Sequence, residues 1–285
     1  MTYPRADRPD SSENTPSKLV LSNNDLSRLS ELIYQRAGIV VTSQKHDMVF
    51  NRLSRRLKML NLSHFSQYIA LLEQNPNSDE WQSFINALTT NLTSFFRESY
   101  HFPVLAEHAR AQVRGGEYKV WCTAASTGEE AYSIAMTLDE ALGSSLVGPR
   151  IWATDIDTEV LEKANKGIYR ASDIASLTPA QKKSWFLRGT GEQQDFVKVN
   201  KQLRSTIHFQ QLNLLASSWN VPEPFDAIFC RNVMIYFDVK TQQLLLQRFA
   251  KMIKPGGILF AGHSENFGHM TKHFRLRGQS VYNLV

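Results

Sequence analysis

The stretch that most constrains the fold of this chain runs from residue 118 to residue 157. Lys119-Val-Trp-Cys-Thr-Ala-Ala125 is an apolar, β-prone run ending on small residues, and Ser126-Thr-Gly-Glu-Glu130 opens a helix that continues through Leu138. Arg150-Ile-Trp-Ala-Thr154 is a second strand, and it delivers Asp155 to the same edge. A strand that feeds a helix through Ala, Ser and Gly implies a parallel α/β unit whose turn lets a ligand approach the backbone at the carboxyl edge of the sheet. An acid at the tip of the second strand is placed to accept hydrogen bonds from a ribose diol, which points to a nucleoside pocket. Only Gly128 stands where a dinucleotide fingerprint has three glycines, so a grip on a pyrophosphate is disfavoured. The same residues also suit an α/β turn with no ligand, in which Asp155 caps the next helix, and the spacing leaves both readings open.

At 285 residues and 42% hydrophobic content the chain can bury one large core and a small one. No apolar run approaches the roughly 20 residues needed to span a bilayer, and the polar N-terminus reads as neither signal peptide nor anchor. Cys122 and Cys230 lie in apolar, strand-like runs where buried reduced thiols are the default, so a cytoplasmic protein is expected. The histidines and cysteines have no metal-ligand spacing, and no metal is expected. One segment accounts for the net charge of +5: between Lys18 and Lys58, eight Lys/Arg face three acids.

The order of segments suggests a small helical domain in front of a larger α/β one. Residues 1–16 hold three prolines and little apolar content, and are expected to form a disordered tail. Residues 17–88 read as helical. Leu26, Leu29, Leu32 and Ile33 recur at helical spacing before Gly38, a helix at about 46–60 buries Val49, Leu53, Leu57 and Leu60, and amphipathic segments follow at 65–72 and 81–88. Arg52, Arg55 and Arg56 share the other side of the second helix with no acid nearby in sequence, which makes that side either a docking face for an acidic partner or a solvated one. Residues 89–115 are read as a linker and a helix from about 98. Thr89-Thr-Asn-Leu-Thr-Ser-Phe-Phe-Arg97 interleaves polar and large apolar groups, as suits a segment draped over a pocket or a linker rich in N-capping residues.

Residues 116–285 carry the sheet. The helix after Asp157 closes at Gly167, and the interval 168–204 is far longer than the ~2–6 residues of an ordinary αβ connection, so a unit is inserted there. Within it, β-like runs at 185–188 and 195–199 flank Gly189-Thr-Gly191 and read as a small antiparallel hairpin. Its open edge suits an added peptide strand, or else merely covers the sheet. The parallel strands resume at 207–210 and 225–230, a helix follows at 239–253, Pro255-Gly-Gly257 stops it, and strands at 258–261 and 280–285 close the chain. The fold class is therefore α/β, a doubly wound, mostly parallel, Rossmann-like sheet.

The acid-tipped strand, the Asn after a strand, Phe225-Asp-Ala-Ile228 and the Lys-Pro-Gly-Gly before a strand together resemble a class I S-adenosylmethionine-dependent methyltransferase. Thr89-Thr-Asn-Leu-Thr-Ser-Phe-Phe-Arg97, Ala125-Ser-Thr-Gly-Glu-Glu130, Ile228-Phe-Cys-Arg-Asn-Val-Met-Ile-Tyr-Phe237 and Gly262-His-Ser-Glu265 look like the chemotaxis receptor methyltransferase family CheR, from about residue 20 to the C-terminus. The resemblance implies transfer of a methyl group from S-adenosylmethionine to glutamate side chains of membrane chemoreceptors, giving glutamyl methyl esters and S-adenosylhomocysteine, in chemotactic adaptation. It also implies a cofactor site of Asn91, Thr93, Arg97, Glu130, Asp155, Asn213, Leu214, Arg231 and Asn232, with Arg97 and Tyr236 acting on the reacting groups. Singly, Asn213 and Asn232 also read as turn residues and Arg231 as the partner of a surface acid. Glu130 is chosen over its neighbour Glu129 because it aligns with the family's Glu.

On the substrate side the resemblance implies that Arg52, Arg55 and Arg56 meet receptor cytoplasmic helices. In tethered relatives the inserted unit binds a C-terminal receptor peptide; Arg188-Gly-Thr-Gly191 resembles their loop, and Lys198 stands where some have Arg, so Arg188, Gly189, Gly191 and Lys198 are substrate-binding candidates. A nucleic-acid methyltransferase, prompted by the basic segment, usually carries an Asn/Asp-Pro-Pro-aromatic turn where this chain has Arg231-Asn-Val-Met-Ile-Tyr236, so nucleic acid is not an expected partner. The presence of Arg97, Asp155, Asn232 and Tyr236 argues against a cofactor-sensing module without catalysis.

Overall fold

The leucine spacing of the first ninety residues produces four helices. The computed structural model describes residues 19–113, 117–143 and 150–285, and the expected tail at 1–16 lies outside the described residues. Helix α1 (Asn23–Ala37) starts from a reciprocal cap between Ser22 and Asp25 and ends at Gly38, whose φ of 69° stops it. Helices α2 (His46–Met59), α3 (Phe65–Gln74) and α4 (Glu80–Leu88) follow, and their apolar faces meet in a core that includes Leu29, Ile33, Leu53, Leu57, Tyr68 and Phe84. Full burial of each such side chain is worth about 1.5–3 kcal/mol, which holds the helices together without a disulfide.

The three arginines of α2 are not three free cations, which corrects the sequence reading. The Arg56 guanidinium makes a two-pronged pair with Glu80 of α4, one prong at 2.6 Å, and the Tyr68 hydroxyl donates to the same carboxylate at 2.8 Å. Arg52 donates to the Thr89 carbonyl beyond the end of α4. Arg55 alone is exposed and without an ion pair among the described residues. Acids close in sequence were the wrong place to look, because helix packing brings a partner from 24 residues away.

Phe96 and Glu98 have φ of 52° and 53°, so the linker ends in turns and α5 (His101–Gln112) begins later than residue 98: left-handed backbone cannot propagate a right-handed helix. The α/β part then runs β1 (Val120–Cys122), α6 (Glu129–Leu142), β2 (Ile151–Asp155) and α7 (Thr158–Lys166). Next comes an inserted unit of β3 (Ile168–Arg170), α8 (Pro179–Trp185), β4 (Phe186–Arg188), β5 (Phe196–Val199) and α9 (Lys201–Arg204). The chain finishes with β6 (Ile207–Gln211), β7 (Phe225–Cys230), α10 (Val239–Met252), β8 (Ile253–Ala261), β9 (Phe274–Gly278) and β10 (Val281–Leu284). The main sheet has the order β6-β2-β1-β7-β8-β10-β9, parallel from β6 to β8 and antiparallel at β10 and β9.

Alternation along the central strands builds two cores. Val120, Cys122, Ala227, Phe229, Ile258 and Phe260 face one layer, while Trp121, Ile228, Cys230, Leu259 and Ala261 face the other. Strand β9 was not anticipated, since only Phe274 of its five residues is buried and an edge strand exposed on both sides gives no apolar run.

The inserted unit is a three-stranded antiparallel sheet of order β3-β5-β4, one strand more than the expected hairpin. Lys198 lies on its central strand, opposite Leu187 and Ile168, whereas Arg188 is opposite Val197. Alternate residues point to opposite faces, so Arg188 and Lys198 do not flank one edge together. Among the described residues no helix is long and apolar enough to cross a membrane.

Candidate active site at the strand carboxyl ends

From β1 the chain steps outward to β2 and β6, then returns to β7 on the other side of β1. A reversal of this kind opens a crevice beyond the carboxyl ends of the strands. A cleft enclosing about 900 Å³, solvent at its mouth included, lies there. The turn after β1 gives it Thr123, Ala124 and Ser126, α6 gives Glu130, and β2 gives Asp155. Asn213 and Leu214 arrive after β6, and Arg231, Asn232 and Tyr236 after β7. Asn91, Thr93 and Arg97 close it from the linker. All ten residues expected at the cofactor and the reacting groups therefore border one cleft. Ala37, Ile39 and Leu88 of the helical unit also line it; as ordinary apolar residues at helix ends they gave no sequence signal.

The buried Asp155 carboxylate accepts from the Ser126 N–H at 2.8 Å and the Asp157 N–H at 3.0 Å. Burial pushes its pKa up to about 6 against those two bonds. Asp157, not Asp155, caps α7, accepting from the N–H groups of Glu159 and Val160. The linker is fastened to this corner: the Asn91 amide donates to Asp157 at 2.8 Å, and the Ser126 hydroxyl donates to the Asn91 carbonyl at 2.9 Å.

At the other end, the fully buried guanidinium of Arg231 pairs with Glu130 at 2.8 Å and Glu98 at 3.2 Å, and donates to the Arg97 carbonyl. Its partners are thus two half-buried acids and linker backbone, not a surface acid. Glu130 borders the cleft, whereas the Glu129 carboxylate turns to the Thr127 hydroxyl at 2.6 Å. Burial raises the Glu130 pKa, with Arg231 opposing it. The Asn213 amide donates to the Arg36 carbonyl at 2.8 Å, tying the helical unit to the sheet. Tyr236 is tied likewise: its carbonyl accepts from the Val40 N–H at 2.9 Å and Lys45 Nζ stands 5.3 Å from its ring centre, while its hydroxyl is unbonded among the described residues. Arg97 is half-buried at the lip, with one N–H on the Leu92 carbonyl at 2.8 Å.

An acid at one end, a guanidinium and amides at the other, and small residues along the floor suit a nucleoside that bears a charged amino-acid arm. Residues 91–283 match the family model "CheR methyltransferase, SAM binding domain", and residues 24–89 match "CheR methyltransferase, all-alpha domain". A chemotaxis protein methyltransferase of Klebsiella aerogenes is 60% identical over 268 residues, covering 94% of this chain and 92% of its own. One of Escherichia coli is 58% identical over 267 residues, covering 94% and 93%. A "chemotaxis protein methyltransferase 2" of Pseudomonas aeruginosa is 47% identical over 263 residues, covering 92% and 93%.

Sheet order, cleft and matches together define a class I methyltransferase that uses S-adenosylmethionine. Within that class the chain belongs to the CheR family of chemotaxis methyltransferases, whose role is the methylation of receptor glutamates.

Proposed function

We propose that Asp155 receives the ribose hydroxyls of S-adenosylmethionine, that Asn213, Leu214 and Asn232 surround its adenosine, and that Asn91, Thr93, Arg97, Glu130 and Arg231 hold its amino-acid end. The observation that carries this reading is the convergence of these residues, from five separate segments, on one cleft at the reversal of strand order. When bound, S-adenosylmethionine supplies an electrophilic methyl group. The acceptor glutamate, with an ordinary pKa of about 4.3, is already ionised at neutral pH and needs no general base. What the chain supplies is positioning and exclusion of water, effects worth up to about 7–11 kcal/mol. Arg97 at the lip holds a carboxylate through its free N–H groups, and the unbonded Tyr236 hydroxyl orients the acceptor.

The receptor's cytoplasmic helices dock beside α2, where Arg55 is an exposed cation without an ion pair among the described residues, and a C-terminal receptor tail adds to the outer strand β4. Exposed Leu187 and Ile168, in one row with Lys198, support an acidic, apolar tail. The reaction is assigned to the cytoplasm, in keeping with the two buried free cysteines. Labelled S-adenosylmethionine with receptor-containing membranes tests the whole reading. Base-labile label on receptor is expected, and label on nucleic acid instead would overturn it. Deleting residues 189–191 is expected to abolish binding of the receptor tail and spare cofactor affinity; unchanged peptide binding would remove the tether.

A further inference from the structure

We propose that Glu98 and Glu265, two carboxylates outside the cleft lining, are positioning residues for methyl transfer that hold Asn232 against the cofactor from its side-chain and backbone sides. The proposal rests on the reading of Asn232 as a cofactor contact.

Asn232 borders the cleft with φ of 56°, in the left-handed region. Such a conformation costs on the order of 1–3 kcal/mol and persists only where its surroundings impose it. Glu265, 5% exposed, is what imposes it here. Its carboxylate accepts from four backbone N–H groups, those of Asn232 at 2.9 Å, Val233 at 3.0 Å, Met234 at 2.8 Å and Gly262 at 2.6 Å. Three successive N–H groups after β7 thus converge on a side-chain anion, in the way a backbone concavity receives a bound one, and a fourth ties in the turn after β8. Gly262 leaves the space: a Cβ there would stand 2.4 Å from Asn232 Nδ2 and 2.9 Å from Glu265 Oε2.

Glu98 grips the other side. It leaves the linker with φ of 53°, accepts from the Asn232 amide at 3.3 Å and from His263 at 2.9 Å, and pairs with Arg231 at 3.2 Å. Three segments, the linker and the turns after β7 and β8, are therefore joined around one amide by two carboxylates. A core built for stability alone would fill this place with apolar groups, since buried charges give little net stabilisation. Beside a reacting centre the return is geometric, because a displacement of about 1 Å costs on the order of 100-fold in rate.

The test uses the full chain and three readouts: calorimetric titration with S-adenosylhomocysteine, thermal unfolding, and receptor methylation kinetics. Glu265→Gln and Glu98→Gln are expected to melt cooperatively, to bind S-adenosylhomocysteine tenfold or more weakly, and to lose kcat while keeping KM for receptor. Glu265→Asp should recover part of the loss. Glu80→Gln, a buried acid remote from the cleft, should lower the melting temperature without touching the affinity. The proposal falls if both glutamine variants bind within twofold of the parent while Asn232→Ala binds at least tenfold more weakly. If Asn232→Ala itself binds normally, it is the cofactor reading of Asn232 that fails, and this proposal with it. Should Glu265→Gln not fold, Glu98→Gln decides alone by the same threshold.

Discussion

Replacing Arg56 by alanine should damage the fold rather than the reaction. In the parent, the Glu80 side chain is only 9% exposed and Arg56 is 24% exposed. Removing the guanidinium leaves that carboxylate with the Tyr68 hydroxyl as its remaining hydrogen-bond donor among the described residues. Leaving a charged group buried without its partner costs about 3–5 kcal/mol in a fully dry site and ~1–3 kcal/mol where desolvation is partial. With about a quarter of the Arg56 side chain already exposed to water, about 2–3 kcal/mol is the expectation. At roughly 2–4 °C per kcal/mol for a chain of this order, the melting temperature should fall by about 5–10 °C. Arg55→Ala, by contrast, removes an exposed, unpaired cation and should stay within about 0.5 kcal/mol, acting only on KM for receptor. Calorimetric unfolding of both variants, with methylation kinetics at varied receptor, separates the two. The apolar double variant Arg56→Met/Glu80→Leu should regain most of the loss. The reasoning is refuted if Arg56→Ala melts within 1 °C of the parent, or if Arg55→Ala falls as far.

Asp155→Asn should weaken S-adenosylhomocysteine binding by about 1.5–3 kcal/mol. Because hydroxyls donate best to the ionised carboxylate, and burial sets its pKa near 6, parental affinity should drop below that pH by up to about tenfold per unit, and the variant's should not. His101, whose pKa burial and Arg231 lower to about 4, takes up its proton near 6.5 only when unfolded. Its contribution is thus fully present above 6.5 and lost as pH falls toward 4, so denaturant curves should show stability declining across that window, with a shallower decline in His101→Gln. Gly189→Ala would set a Cβ 1.9 Å from the Gln193 carbonyl oxygen, so the β4–β5 loop must rebuild; binding of the receptor tail should fail while S-adenosylhomocysteine titration is unchanged.

Much of the site was legible because it is local. The Ala125-Ser-Thr-Gly turn, the acid at the tip of β2 and the Asn after β7 each sit at the carboxyl end of a strand that its own residues announce, and a parallel sheet brings those ends together without further instruction. What stayed hidden depends on pairs distant in sequence. Arg56 finds Glu80 only when α2 packs on α4, and the row holding Lys198 is fixed by its register with Leu187. Glu265 stood in a recognised motif, yet its four backbone donors come from two loops and leave no trace in side-chain chemistry.

The wall that Ala37, Ile39 and Leu88 contribute to the cleft, with the Val40–Tyr236 and Asn213–Arg36 bonds beside it, bears on how such enzymes diversify. The helical unit cannot be traded between relatives as a free cassette. A recombination junction near residue 90 would import a foreign wall into the cleft, together with new helices. The helical unit and the turns after β6 and β7 are therefore inherited together, and a working chimera must carry the matching turns across the junction as well.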